Sequence, residues 1–464
     1  MLAYIAYLPG FLAYVVAKRY ALQCAFIWVY LPVLLLLPDY YYAMTPGLPD
    51  PTASQSAAFA LFLVFVAQGA PGYRFSYADV AVAAYAFAVS FSEYLATDYA
   101  AAQNLVFFEL TSVLFPYLLA KSLIEPFYLR YTFAKSIVLC SSVVVLLNLF
   151  ENRFGYNLWT TYWGRWFFPG QNENWVTTFR YGIARAAGPY AHCLVAGIML
   201  AAAYRLQRWL QWSGAWPLKV KGLAWLPLFT PARFFTLMML LGIASTLAKG
   251  PWLASIVAAG IVFIGRSKRK AAALKIVLAI LVLVGVPLLL ALLDYASVGR
   301  GNAVDDTQET AAYRYELVSE YMDVASEQLW WGWGLMKWPQ MPKFESIDNH
   351  FLLTYLNHGV IAVSLLLGIM VVMMARLLWH GMSQPEQGPR GSSLAFTLAA
   401  IYLMYFIAVA TVAMMYQSCT LFFLLTGLTD AHLRRDVLDS RQFLLEMGHC
   451  VPDERKYKFR KVLQ

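Results

Sequence analysis

Apolar runs of about 18 residues, separated by short polar connections, recur from one end of the chain to the other. Hydropathy places candidate spans at 2–16, 21–37, 56–70, 78–95, 104–120, 136–150, 189–204, 232–248, 251–265, 275–293, 351–374, 394–412 and 414–429. A run of that length crosses the hydrocarbon core of a bilayer, and in lipid it must be a helix that satisfies its own backbone. The pattern predicts an all-α polytopic integral membrane protein with about 12–14 transmembrane helices. The first span is short, and the last two read equally well as one re-entrant pair. No charged segment precedes the first span and no small-residue cleavage site follows it, so it reads as retained rather than as a signal peptide.

Composition agrees with the pattern. The 464 residues are 60% hydrophobic and 13% charged, against about 45–50% and about 25% in soluble domains. The formal charge of +9 matters through its placement. Connections holding Lys18 and Arg19, Lys121 to Lys135, Arg205 to Arg233, Arg266 to Lys275, and Arg376 with Arg390 are basic, as is the tail from Arg434. The alternate connections 38–55 and 96–103 contain no lysine or arginine. The positive-inside rule makes the basic set cytoplasmic. One transmembrane domain over 1–429 results, with long outer loops at about 151–188 and 294–350 and a cytoplasmic tail over 430–464. No basic run with interleaved aromatics lies in a soluble segment, which excludes nucleic acid as a partner. Cys24, Cys140, Cys193, Cys419 and Cys450 have the spacing of neither a zinc site nor a disulfide framework.

The two outer loops break the charge rule. The first carries Arg153, Arg165, Arg180 and Arg185, the second Arg300, Arg314, Lys337 and Lys343, and a short outer turn adds Lys249. Long loops translocate largely regardless of charge; alternatively, outer cations await an anionic substrate. Three motifs bear on this choice. Arg185-Ala186-Ala187-Gly188-Pro189-Tyr190-Ala191-His192 enters a span. Its glycine permits close backbone approach, and its arginine either forks onto a phosphate or snorkels at the boundary. Ser245-Thr246-Leu247-Ala248-Lys249-Gly250-Pro251-Trp252 forms a tight hairpin tip with one lysine, solvated or fixed as an ammonium between two helix ends.

In the second long loop, 311–329 reads as an amphipathic helix. Glu316, Glu320, Asp323 and Glu327 share one face, opposite Leu317, Val318, Tyr321 and Ala325. Arg314 falls on the apolar face, where it requires a carboxylate or an anion. Downstream come Gly332-Trp333-Gly334, a flexible stretch, and Asp348-Asn349-His350 at the start of a span. In that span His350, Thr354, Asn357 and His358 share a face, a polar stripe that points into a bundle or a wet cavity. Asp348 is alternatively a helix N-cap, His350 an interfacial imidazole, and His358 structural. Glu93 and Glu109 lie near the outer ends of their spans and read as interfacial carboxylates outside the core site. Trp159, Tyr162, Trp163, Trp166 and Trp175 read either as an interfacial belt or as platforms for sugar rings.

Taken in order, the motifs resemble the O-antigen ligase/polymerase superfamily of bacterial envelope enzymes. The correspondence runs through Arg185 with Gly188, Lys249 with Gly250, Arg314, Gly332 with Gly334, and Asp348-Asn349. It covers about 185–360; the first 150 residues match only as hydrophobic spans. Two positions depart from the family pattern: Lys249 stands where the family has arginine, a point charge in place of a fork, and Asp348-Asn349 replaces His-Asn, with His350 one place later. The latter looks more like the exopolysaccharide polymerase branch.

The resemblance implies a GT-C-like, metal-independent, inverting glycosyltransferase without cofactor in the bacterial inner membrane, its active site facing the periplasm. Its donor would be a glycan on undecaprenyl diphosphate, and its acceptor a sugar hydroxyl on a glycan or on another lipid-linked glycan, in exopolysaccharide or O-antigen biosynthesis. Membrane lipids and other polysaccharide-assembly proteins would be its further partners. Arg185, Lys249 and Arg314 are the candidates for the diphosphate. Asp348 or His350 would serve as base, with Gly332, Gly334 and Asn349 in the substrate loop. The rival reading is a lipid-linked oligosaccharide flippase or polysaccharide transporter. Transporters more often show repeats and a site near the midplane, whereas here the cations gather on one face.

Overall fold

The computed structural model describes residues 2–167, 171, 177–217, 230–344, 346–383 and 393–434. Trp175, Arg390 and the tail beyond Arg434 lie outside the described residues. Each predicted span coincides with a helix. A short 3₁₀ turn, Leu2–Tyr7, leads into α1 (Leu8–Arg19), followed by α2 (Leu22–Leu36), α3 (Ala53–Ala67), α4 (Tyr77–Ala96), α5 (Ala102–Leu123) and α6 (Arg130–Phe154). After α7 (Leu158–Tyr162), Phe179–Arg180 and Ile183–Ala184 pair as antiparallel strands β1 and β2, with Phe179 opposite Ala184. Tyr181 and Gly182 turn between them with φ of 55° and 73°, the doubly left-handed turn that matches strand twist.

Then come α8 (Cys193–Trp212), α9 (Pro231–Ser245), α10 (Lys249–Arg266), α11 (Lys270–Ser297), α12 (Asp306–Glu327), α13 (His350–Ser383), α14 (Leu394–Val409) and α15 (Gln417–His432). Among the described residues, five of these helices are long and apolar enough to cross a membrane: α4, α5, α6, α11 and α13. Helices α2, α3, α9 and α14 are apolar but shorter.

Local chemistry explains several breaks. The helical ladder widens to a π-turn at Phe26–Tyr30, Glu109–Leu114 and Leu281–Gly285. Each π-turn is followed by a proline, Pro32, Pro116 or Pro287, which removes one ladder donor and crowds the preceding turn. The sharpest break is in α13. Gly359 has φ 72° and ψ −176°, so the carbonyls one turn upstream lose their helical donors. The backbone N–H of Trp333 takes Leu356 O at 2.8 Å, that of Gly334 takes Asn357 O at 2.9 Å, and Val360 N–H donates to Leu329 O at 2.8 Å. A Cβ on Gly332 would lie 2.5 Å from the backbone of Asn357. The Gly-Trp-Gly stretch, read from composition as flexible, is therefore a clamp on the kink.

The two ends of the bundle differ. At one end, basic residues from separate connections converge. Lys121 is fully buried and ion-paired with Asp79 and, at 3.1 Å, with Asp430. Arg434 reaches Asp430 at 3.0 Å and Arg130 reaches Glu125 at 2.5 Å. Lys270 Nζ donates to Gly381 O at 2.8 Å. At the other end the segment 177–190, the 245–250 tip and the start of α15 pack together; Gln417 Nε2 bridges Leu37 O at 3.0 Å and Pro189 O at 3.2 Å.

Candidate functional site

The structure joins two of the sequence motifs directly. Ala186 N–H donates to Ser245 O at 3.2 Å. Asn152 Nδ2, near the end of α6, spans both segments, to Ala184 O at 2.5 Å and Ser245 O at 2.8 Å. Arg180 Nη1 donates to Leu247 O at 3.0 Å. The loop carrying Arg185 and the hairpin tip carrying Lys249 therefore form one surface. The C-terminal end of α6 sets the loop's shape. The Glu151 carboxylate accepts from Gly188 N at 3.0 Å, Ala187 N at 3.3 Å and Asn157 Nδ2 at 3.1 Å. Gly188 has φ 62°, and a Cβ there would lie 2.6 Å from Asn148 Oδ1. The close approach foreseen at this glycine is to α6.

Arg185 is half-buried, and its Nε is buried without a hydrogen-bond partner. Burial, opposed by nearby Cys193 and aided by the Arg180 guanidinium, pulls its pKa below the ordinary arginine value. It lines a narrow cleft with Glu151, Asn157, Thr178 and His192. His192 caps α8, its Nδ1 accepting from Leu194 N at 3.2 Å, which leaves Nε2 to carry the proton of the neutral ring. The imidazole lies within the electrostatic reach of both Arg185 and Asp348. The chain thus brings Arg185, His192 and Asp348 into one neighbourhood. His192 was visible in the sequence only as the last residue of a motif.

Lys249 is the first residue of α10 and is exposed. The acid it acts on is Asp305, the N-cap of α12. That carboxyl lies below its ordinary pKa, chiefly because Gln308 N–H donates to it at 2.7 Å, with Lys249 contributing.

Helix α12 forms as its amphipathic pattern predicts. Leu317, Tyr321 and Ala325 are buried, in a cluster with Trp338, Phe344, Leu352 and Leu356. This packs the helix onto the start of α13. The cations of residues 294–350 then divide. Lys343 is ion-paired with Glu320. Arg300 lies 3.7 Å from Glu309, donates to Lys343 O at 3.1 Å and sits 5.1 Å from the centre of the Tyr313 ring. Arg314 is half-buried and, among the described residues, has neither a hydrogen-bond nor an ion-pair partner. The protein carboxylate that would have explained it is absent there. Its guanidinium makes no described contact with Arg185 or Lys249, so Arg314 joins the neighbourhood only through α12.

At the start of α13, Asn349 is the cap: its Oδ1 accepts from Phe351 N at 3.0 Å and Leu352 N at 3.2 Å. The capping role considered for Asp348 belongs to its neighbour. Asp348 is half-buried, and its Oδ1 accepts from the Ser346 hydroxyl at 2.9 Å. Both ring nitrogens of His350 are buried without partners. Thr354, Asn357 and His358 are buried further along α13, and His358 Nδ1 meets Ser92 Oγ at 2.6 Å, a structural contact.

Gly334 lies against α4, where Glu93 accepts from Leu335 N at 2.7 Å. Glu93 and Glu109 are both buried. The aromatics of residues 158–167 separate as well. Trp159 Nε1 is committed to Leu36 O at 2.6 Å, while Tyr162 and Trp166 stay exposed. No group of three His, Cys, Asp or Glu side chains among the described residues is placed to hold a metal ion.

Residues 234–367 match the family model described as O-antigen ligase. The match includes Lys249, Arg314, the Gly332–Gly334 clamp and Asp348–His350, and stops short of Arg185. It supports the resemblance to the O-antigen ligase/polymerase superfamily read from the motifs. No curated protein matches the chain.

Proposed function

We propose that this protein transfers a glycan from a membrane-anchored diphosphate lipid to a sugar hydroxyl, as a polymerase or ligase of bacterial surface polysaccharide. The observation that carries the reading is the division among the outer cations. Arg300 and Lys343 are neutralised by the protein. Arg314 is left without a partner among the described residues, and Arg185 Nε is buried and unmet. Half-buried cations held by rigid elements stabilise negative charge that develops elsewhere, because they need not reorganise as it appears.

In the reaction, the bond between the anomeric carbon and the diphosphate oxygen breaks and its electron pair goes to the diphosphate. Arg185, Lys249 and Arg314 receive that charge. The acceptor oxygen bonds the anomeric carbon from the opposite face, which inverts the configuration, and its proton passes to a base. Asp348 is that base: Asn349 has taken the capping role, and the carboxylate acts electrostatically on His192. With the charge met by side chains, the step calls for no metal. The donor is a glycan on undecaprenyl diphosphate, the site faces the periplasm of the inner membrane, and exposed Tyr162 and Trp166 offer faces to sugar rings.

Purified full-length protein in nanodiscs, given the lipid-linked repeat unit in the presence of EDTA, tests this. A ladder of longer lipid-linked glycans establishes a polymerase; glycosylation of an added acceptor alone establishes a ligase. Arg314→Ala is expected to lower the rate about 10²–10³-fold, while Arg300→Ala stays within about threefold. Equal activity in both variants would sink the assignment, and absence of transfer with both kinds of acceptor would sink the function.

A further inference from the structure

Helices α8 and α10 start at the candidate site, at His192 and Lys249; α8 carries Arg205 and Arg208 toward its far end, and α10 ends in Arg266. Twelve residues of helix separate Cys193 from Arg205, a rise of about 18 Å, so these arginines lie toward the opposite end of the bundle. There Arg205, Arg208 and Arg266 line an open cavity of about 450 Å³ with Trp212, Val262 and Phe263.

The three guanidiniums are held by uncharged groups. Arg205 is only 6% exposed; it donates to Ser255 O, and its Nε is buried without a partner, as is Ser255 Oγ. Arg208 donates to Gln211 Oε1 at 2.6 Å. Arg208 and Arg266 both reach Trp212, their Cζ atoms 4.7 Å and 4.2 Å from its ring centre. Arg208 acts electrostatically on Arg205, and Arg266 on Arg208. No described carboxylate pairs with any of the three. Gathering like charges in a part-buried pocket is unfavourable unless an anion enters it, and the guanidinium fork suits the oxygens of a phosphate.

The surroundings say which phosphate. From this pocket an apolar stripe runs back along α10 through Phe263, Val257, Ile256 and Leu253, exposed by 54%, 43%, 70% and 55%. Gly260 in the same stretch lies against Val277 of α11, whose most apolar stretch is unburied throughout. A charged pocket at the head of an apolar groove has the form of a phospholipid.

We infer that the pocket at the arginine-bearing ends of α8 and α10 binds the phosphate headgroup of an anionic lipid, in the leaflet opposite the surface that carries Arg185 and Lys249. This does not rest on the transfer reading. Native mass spectrometry of the purified full-length protein, titrated with phosphatidylglycerol or phosphatidylcholine, tests it.

Phosphatidylglycerol should be retained preferentially. Arg266→Gln should weaken its retention about fivefold, and Arg208→Gln with Arg266→Gln about 25-fold, at roughly fivefold per basic residue. Lys268→Gln, an equal loss of charge outside the pocket, should leave retention unchanged. Arg266 is exposed, so the single variant reports on binding even if the double variant folds poorly. Equal retention of the two lipids, or Arg266→Gln no weaker than Lys268→Gln, overturns the inference. Displacement of phosphatidylglycerol by inorganic phosphate at equal concentration would make the ligand a free anion and overturn the lipid assignment.

Discussion

A guanidinium on the apolar face of a helix must find an anion, and for Arg314 the described protein supplies none. Helical spacing placed the residue correctly, because burial of Leu317, Tyr321 and Ala325 fixes the face. Spacing could not say whether a carboxylate from elsewhere would meet it; that depends on contacts between distant segments. The same limit governs the start of α13. Asp348 reads in sequence as a cap or a base and His350 as a base or an interfacial imidazole, with Asn349 placed only in the substrate loop. The structure gives the cap to Asn349. Two predictions follow at this scale. Asp348→Asn is expected to lower kcat by about 10²–10⁴-fold, the usual worth of a positioned base, while His350→Gln stays within about tenfold. The reverse order in steady-state assays would move the base to His350. Asn349→Ala should instead cost about 1 kcal/mol of stability through the lost cap, seen as a lower melting temperature. An Asn349→Ala protein as stable as wild type but inactive would make Asn349 part of the chemistry.

The helices themselves were largely legible, because a run long enough to cross a bilayer admits one regular structure in lipid. Even the π-turns have a readable cause in Pro32, Pro116 and Pro287. What misled was glycine. Gly332 and Gly334 look the same in sequence whether they loosen a loop or let two backbones touch, and here they touch. The kink at Gly359 exposes the carbonyls of Leu356 and Asn357, and the N–H groups of Trp333 and Gly334 answer them. This ties the loop after α12 to α13 and so fixes α12, with Arg314, relative to Asp348. Gly359→Ala puts a side chain at φ 72° and ψ −176°, a conformation essentially confined to glycine and costing about 1–3 kcal/mol, and drives its Cβ into the backbone of Trp330. The expected result is faster hydrogen exchange at the amides of Trp333 and Gly334 together with a fall in transfer rate. Unchanged exchange there in a folded variant would show that the clamp does not depend on the kink.

At the scale of the whole molecule, positive-inside reasoning grouped the basic connections, and the structure brings many of them to one end of the bundle. Reading them as loop charges missed how deeply some are used. Lys121 was assigned to a basic connection, yet it is 1% exposed, with Asp79 and Asp430 as ion-pair partners. The three come from α5, α4 and α15, so the network fastens early helices of the chain to the last one described. Sequence hides this because Asp430 lies hundreds of residues from the others: Ser76 and Asp430, also hydrogen-bonded at 2.8 Å, are separated by 354 positions. The network's value is best judged from what its loss leaves behind. Lys121→Met buries an apolar chain of similar length but strands Asp79 and weakens the neutralisation of Asp430, which keeps Arg434 at 3.0 Å. Breaking a buried pair in this way costs about 3–5 kcal/mol, most of it from the uncompensated charge. A second change, Asp79→Asn, removes the stranded charge; with the amide oxygen at the Oδ2 position the Tyr73 hydroxyl, at 3.0 Å, can still donate to it, and the new amide N–H can donate to the Tyr117 hydroxyl, at 2.7 Å. The double variant should therefore melt above Lys121→Met in detergent, closer to wild type, with a coupling between the sites of about 0.5–3 kcal/mol. Additive losses would mean that Lys121 acts through packing alone. Because the network lies at the opposite end from Arg314 and Asp348, the folded fraction of either variant should transfer glycan at the wild-type rate, which separates the fastening of the bundle from the chemistry at its other end.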